Sequence, residues 1–513
     1  MKHTFALLMT LIASSVQAFE INPWLAQSPW PASHGSSGAA GSSEVAGPTS
    51  TNQLGKPSFV ATGLINITLA TSPRYRNGEF AHWGSSFTNV YKLRTVNGSL
   101  QKVSTLNKPY NKIKNIFTPT SGAYTLVDIN NVLFTVQGTH LLAYGDSQLN
   151  NINSPITLLR DYDITRSNDV SSDDAIVGLN MTWDGNIAFA TKKGVIGVID
   201  RNFTTLKTIK LDTGTKVGKV ETVSNSISTD SKGGIYVVSD LQMYRVQWTG
   251  SQLTMDESLG AWKSDYILGA GSSISLGAGS GSTPSVMGEG DQQFIVITDG
   301  ADVANIVLFW KDAIPAGWVG INGNRRMAAQ MPVNFGDSNR SRTSSEQSVL
   351  VNGYGAVVVS NDLKNQNLLP PNTGNDAIDR SLDNAVGTYF SGTRLYRPQG
   401  VQKFEWDKVT RKLSSKWVRN DISCPNSIPT SSIPSNVFYC VGSSKGTGII
   451  GSQLYFWTIE GLNFTTGASV LRKYIDQAAL PNFNSFYAST SIAPDGGIIY
   501  GSLTGAVYIP RVK

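Results

Sequence analysis

From about residue 58 to the end of the chain, short runs of β-branched and aromatic residues recur, separated by Gly, Asn, Asp and Ser turns. No long stretch places apolar residues at helical spacing, so a parallel α/β fold with helices between strands is excluded. A loose internal repeat stands out. Its copies are Ala175–Asp200, Val223–Trp248, Gly281–Trp310 and Ala488–Pro510, each reading as strand, D-G or D-x-x-G turn, strand, turn, strand. Asp184-Gly185, Asp230 with Gly233-Gly234, and Asp495-Gly496 hold equivalent turn positions, where positive φ is required. Weaker copies run over Tyr124–Tyr144, over Gln347–Ser360 with Val401–Trp417, and over Val441–Tyr474.

Inner strands are therefore expected near 124, 176, 224, 284, 347, 443 and 488, mostly at the 45–63-residue spacing of a four-stranded propeller blade. The fold class is an all-β propeller of about seven blades, with six or eight as alternatives and a β-sandwich pair as the competing architecture. The last copy runs out after three strands, so a strand near the N-terminus, Gly63–Ala70 or Thr88–Leu93, must close the ring. Residues 364–400 interrupt the sixth copy and carry Tyr389, Phe390, Arg394, Tyr396 and Arg397, which reads as an ordered lid over one end.

The N-terminus changes the picture of compartment. Lys2 and His3, the apolar run Phe5–Ala13, and Val16-Gln17-Ala18 compose a secretory signal over residues 1–18. Its removal takes the formal charge from +6 to +5. Residues 19–57 form a segment rich in Ser and Gly, expected to cross the surface or stay mobile, and 58–513 a single propeller domain. The two cysteines, Cys424 and Cys440, pair in a secreted chain and enclose a proline-rich loop. Six N-x-S/T acceptors, Asn66, Asn97, Asn180, Asn202, Asn339 and Asn463, suit a glycoprotein of a eukaryotic, fungal-type secretory pathway, with bacterial export as the alternative. The expected location is secreted or luminal.

Charge and motifs mostly exclude. The basic excess has no Lys or Arg run, so nucleic acid is an improbable partner, and no apolar run is long enough to span a membrane. His34, His82 and His140 sit at unrelated positions, so neither a metal nor another cofactor is expected. Gly442–Gly446 matches G-x-S-x-G around Ser444, but a strand pattern follows, so it reads as a flexible turn and not as a nucleophile elbow. Glu221, Asn225, Asp299 and Glu346 are candidates for a calcium site.

PWPASHG, from Pro29, resembles the Trp-Pro lead-in of the quinoprotein-like propeller superfamily, although the adjacent cysteines of its quinone dehydrogenases are absent. The overall layout (secreted, several sequons, one disulfide, about 500 residues) resembles the fungal hetero-Diels–Alderases of tropolone–sesquiterpenoid pathways. That resemblance implies a cofactor-independent cyclase joining a tropolone quinone methide to a terpene alkene, with apolar small-molecule substrates. By preorganisation and hydrogen bonding, His82, Arg394, Arg397 and Glu346 would be catalytic. Trp83, Gln347, Tyr354, Tyr389 and Tyr396 would wall the substrate. The alternatives are a non-catalytic binding or structural glycoprotein and a calcium-assisted lactonase or esterase.

Overall fold

The structure, a computed structural model, describes residues 20–110, 124–212, 215–216, 219–268, 279–365, 383, 386–447 and 454–512. The signal segment 1–18 and most of 366–385 lie outside the described residues. Among those described, eight radial sheets form a propeller. Their innermost strands are Thr68–Thr71, Leu126–Val127, Ile176–Met181, Ser228–Thr229, Ser285–Glu289, Leu350–Asn352, Thr430–Ser432 and Thr490–Ile492, which define blades 1 to 8. The chain thus has eight blades instead of about seven. The extra one is blade 1, completed by Ala81–Ser85, Asn89–Val96 and Ser99–Asn107. Its strands include both segments expected to close the ring. Closure instead uses Ser58–Ala61, antiparallel to Gly505–Ile509 at the outside of blade 8.

The strand composition follows from this arrangement. Both faces of each blade are covered by neighbours, so the middle strands read as continuous apolar runs without polar alternation. In Gly234–Val238, Ile235 and Val237 pack toward blade 3, whereas Tyr236 and Val238 pack toward blade 5. The core is accordingly eight wedges, one between each pair of neighbouring blades. The predicted turn glycines hold, with φ of 88° at Gly185, 78° at Gly233 and 85° at Gly496.

Cys424 and Cys440 are bonded, with Cα atoms 5.9 Å apart, inside the wedge between blades 6 and 7. The segment they enclose is not simply a loop. It contains the inner strand Thr430–Ser432 and the start of Val437–Lys445, the second strand of blade 7. Ser444 lies on that second strand, so Gly442–Gly446 is not a flexible turn.

The Ser/Gly-rich segment departs furthest from expectation. The inner edge of every blade exposes unpaired N–H and C=O groups to the channel, and this segment bonds to them in seven of the eight blades. Carbonyls of Trp30, Pro31, Ser37, Gly38, Ala40 and Gly41 accept from Thr71, Val127, Thr229, Val286, Val351 and Ser431, on the inner strands of blades 1, 2, 4, 5, 6 and 7. The Asn22 side chain donates to Met181 O of blade 3. The segment is a buried collar around the channel. Small residues are needed because space is short: a Cβ on Gly38 would lie 3.3 Å from Val286, and one on Gly41 3.1 Å from Leu350. No helix among the described residues is long and apolar enough to cross a membrane.

Candidate functional site

Where the collar meets the turns after the inner strands, a cavity of about 490 Å³ opens among blades 3 to 7. Gly38 and Ala40 of the collar, Trp183, Asp230, Val286 and Glu289 are among its lining groups. The repeat explains why these residues meet. Each strand–turn–strand unit puts its first turn at the same end of the ring, so Trp183 beside Asp184, and Asp230, arrive as neighbours. A concavity of this size that combines apolar side chains with convergent polar groups can take a small molecule.

Electrostatically the cavity leans negative. Asp230 is buried and accepts from Lys311 Nζ at 2.9 Å, Tyr236 OH at 2.6 Å and Gly234 N at 2.8 Å. Burial alone would raise its pKa, but the charges of Lys311 and Arg245 and the Tyr236 hydroxyl hold the carboxyl below its ordinary value. Lys311 is shared between Asp230 and Asp312, at 2.9 and 3.4 Å, so it offers a ligand little free charge. Glu20 accepts from Ser231 Oγ at 2.7 Å, and Glu289 pairs with Lys408 at 3.1 Å. The Trp183 indole N–H is shielded from solvent and has no hydrogen-bond partner.

None of the sequence-derived site residues is among the described lining residues of this cavity. His82 and Trp83 lie in the second strand of blade 1, at 1% and 0% exposure. The His82 ring faces Thr71 Oγ1 at 3.3 Å and burial lowers its pKa to about 4, while Trp83 donates to Asn131 Oδ1 at 3.1 Å. Glu346 and Gln347 precede the inner strand of blade 6, at the ring end away from the cavity. Tyr389, Arg394, Tyr396 and Arg397 belong to the insertion, whose described part docks on blades 7 and 8. There Asn426 and Asn484 donate to Thr388 O, each at 2.9 Å. Arg397 is consumed in that docking, through Ser443 O at 2.8 Å, whereas Arg394 faces solvent. Tyr354 reaches the cavity's edge, its hydroxyl exchanging hydrogen bonds with the Glu289 backbone at 3.1 and 3.0 Å.

Other candidates are spent on local structure. Asp299 caps its own turn through Asn305 N at 2.7 Å, and Glu221 accepts from Tyr244 OH at 2.8 Å within blade 4. Of the sequons, Asn66 and Asn180 are buried. Their amide nitrogens donate to Gly63 O at 2.7 Å and Ile227 O at 2.8 Å, which leaves no room for a glycan. Asn97, Asn202 and Asn339 are exposed and Asn463 is half-buried.

No family model matches the chain. Among solved structures, it is similar to the quinohemoprotein alcohol dehydrogenase of Comamonas testosteroni, with TM-score 0.55, 11% identity, and 94% of this chain and 80% of that one covered. It is also similar to a europium-containing methanol dehydrogenase, with TM-score 0.55, 9% identity, and 94% and 98% covered. These likenesses show a quinoprotein-like propeller fold. The residues here do not fit the quinone group of such dehydrogenases. The disulfide joins cysteines 16 residues apart within an interblade wedge. The axis itself is occupied by His34, which lies 3.5 Å from Ser348 of blade 6 and 6.1 Å, ring to ring, from Tyr124 beside blade 2. Among the described residues, no three His, Cys, Asp or Glu are grouped to hold a metal ion. The fungal cycloaddition family is not supported by these matches, and the sequence relative is archaeal. At 36% identity over 497 residues, covering 94% of this chain and 89% of the relative, the chain belongs to the same family as an uncharacterized protein of Archaeoglobus fulgidus.

Proposed function

We propose that this propeller is a non-catalytic binding protein, exported to a compartment where its disulfide persists, that holds a small amphipathic organic molecule in the collar cavity. The observation that carries the reading is the cavity itself: about 490 Å³, with Trp183, Ala40, Val286 and Ile433 as apolar patches among polar and glycine lining residues. The carboxylates of Glu20, Asp230 and Glu289 outnumber the single, already neutralised Lys311. An uncharged or cationic ligand suits that balance, its flat apolar part against Trp183. The charged lining groups are already engaged, Glu20 with Ser231, Glu289 with Lys408 and Asp230 with Lys311, so they serve recognition better than proton transfer or nucleophilic attack.

The test is retention of small molecules from metabolite extracts, read by native mass spectrometry. Trp183→Ala should weaken retention, and Gly38→Val should narrow the cavity, since its Cβ would lie 3.3 Å from Val286. Failure of the wild type to retain any small molecule, or equal retention by both variants, refutes the reading.

A further inference from the structure

Among the described residues four lysines are buried: Lys92, Lys108, Lys311 and Lys403. Three of them meet a carboxylate, Lys92 with Asp146, Lys311 with Asp230 at 2.9 Å, and Lys403 with Glu405 at 2.8 Å. Lys108 meets none. It is 2% exposed, and no charged or hydrogen-bonding side chain of the described residues acts on its amine. Its place in the fold is nevertheless fixed. Lys108 directly follows Ser99–Asn107, the outermost strand of blade 1, and its backbone N–H extends that ladder to Thr88 O at 2.8 Å, in the turn between the second and third strands. Side chains two apart on a strand share a face. Leu106 packs into the wedge between blades 1 and 2, so Lys108 lies on that same face, at the ring end away from the collar cavity.

An ammonium taken out of water without a partner is costly, and such a group sheds its proton instead. Burial accordingly lowers the Lys108 pKa to about 7, with no charged residue contributing. An exposed lysine, at ~10.4, holds about one free amine in two thousand at pH ~7, whereas Lys108 is about half deprotonated there. Its nitrogen is not sealed off in the way that the partnerless Trp30 and Gln347 side-chain nitrogens are, so the amine reaches open space while the stem is covered. A desolvated, unprotonated lysine with an open lone pair is a nucleophile toward carbonyl carbon.

We propose that Lys108 is a covalent binding site for a small aldehyde or ketone, held as a reversible imine. The amine lone pair adds to the carbonyl carbon and an N–H proton passes to the carbonyl oxygen, giving a carbinolamine. That adduct loses its hydroxyl with the second N–H proton as water, leaving a C=N bond to Nζ. Nothing is oxidised or reduced, and addition of water reverses the step. The site stands independently of the collar cavity.

Treating the full chain with acetaldehyde and cyanoborohydride, then mapping peptide masses over time, tests it. The reductant converts each imine into a stable N-ethyl group, so exposed lysines such as Lys412 and Lys416 serve as references within the same molecule. At pH ~7 Lys108 should be labelled about tenfold or more faster than they are, because far more of it is free amine. Its rate should level off above pH ~8, while theirs keeps climbing toward pH ~10. Lys108→Met, an apolar chain of similar length, should lose the first ethyl group that the intact protein acquires. The proposal is overturned if Lys108 is labelled no faster than the exposed lysines, if its rate follows their pH profile, or if Lys108→Met gains its first ethyl group as fast as the wild type.

Discussion

Replacing Lys311 by Met removes the principal charge partner of a buried carboxylate. Lys311 and Asp230 have side chains 3% and 5% exposed and meet at 2.9 Å, joining blade 5 to blade 4 next to the collar cavity. Breaking such a pair from one side typically costs about 3–5 kcal/mol, because the remaining charge stays buried. Here Arg245 remains at 3.9 Å and Tyr236 OH still donates, which places the expected loss near about 3 kcal/mol. Asp230→Asn combined with Lys311→Met should recover much of it, with a coupling energy of about 2 kcal/mol.

The acid dependence gives a second, independent reading. In the wild type the Asp230 pKa is held below its ordinary value. Its contribution is therefore present above the unfolded carboxylate range and is lost as pH falls through the lowered folded value. In Lys311→Met, burial pushes the same carboxyl upward, so its penalty at neutral pH is relieved by acid. The deficit of the variant should thus be full at pH ~7 and shrink toward pH ~4. Urea unfolding followed by tryptophan fluorescence at both pH values measures it. A deficit below about 1 kcal/mol, one that does not change with pH, or a double variant as unstable as the two single losses added would refute the reasoning.

Removing the disulfide through Cys424→Ala with Cys440→Ala frees a loop of sequence separation 16 and should cost about 3 kcal/mol, visible as a lower urea midpoint. Burial lowers His34 and His82 to about 4 each, in the second case against the pull of Asp495, so both are neutral in the fold. Their contribution is complete above the unfolded value of ~6.5 and is lost as pH falls toward the folded one. Stability should decline through that window, and less steeply in His82→Asn; an unchanged slope would contradict the assignment. Expressed in a glycosylating host, the protein should carry glycans among Asn97, Asn202, Asn339 and Asn463 but none at Asn66 or Asn180, as peptide mass mapping would show.

Much of the architecture was legible in the chain because it is repeated locally. A strand buried on both faces must be apolar throughout, and a tight turn between such strands demands Gly beside Asp, so the runs around Ile187–Thr191, Gly234–Val238 and Ile498–Gly501 announce blades. The disulfide was readable because the chain has two cysteines, and closure by strands from both ends because the last copy lacked one, although the closing strand is Ser58–Ala61 and neither of the segments expected. Blade 1 was not, because Thr68–Thr71 and Asn89–Val96 carry no Asp-Gly turn between them and looked like spare closing strands.

Only the tertiary structure decided the collar and the sites. A Ser/Gly stretch reads as a mobile coil, since composition reports conformational freedom and says nothing of a narrow channel lined with unpaired backbone groups. Its glycines are there because Val286 and Leu350 leave no space. The aromatic and arginine set named from the sequence lies outside the collar cavity, because residue type marks what could recognise a ligand, whereas a cavity depends on which blade ends converge. Asp230 was visible as a turn residue. That it meets Lys311, 81 residues later in sequence, follows from ring packing alone.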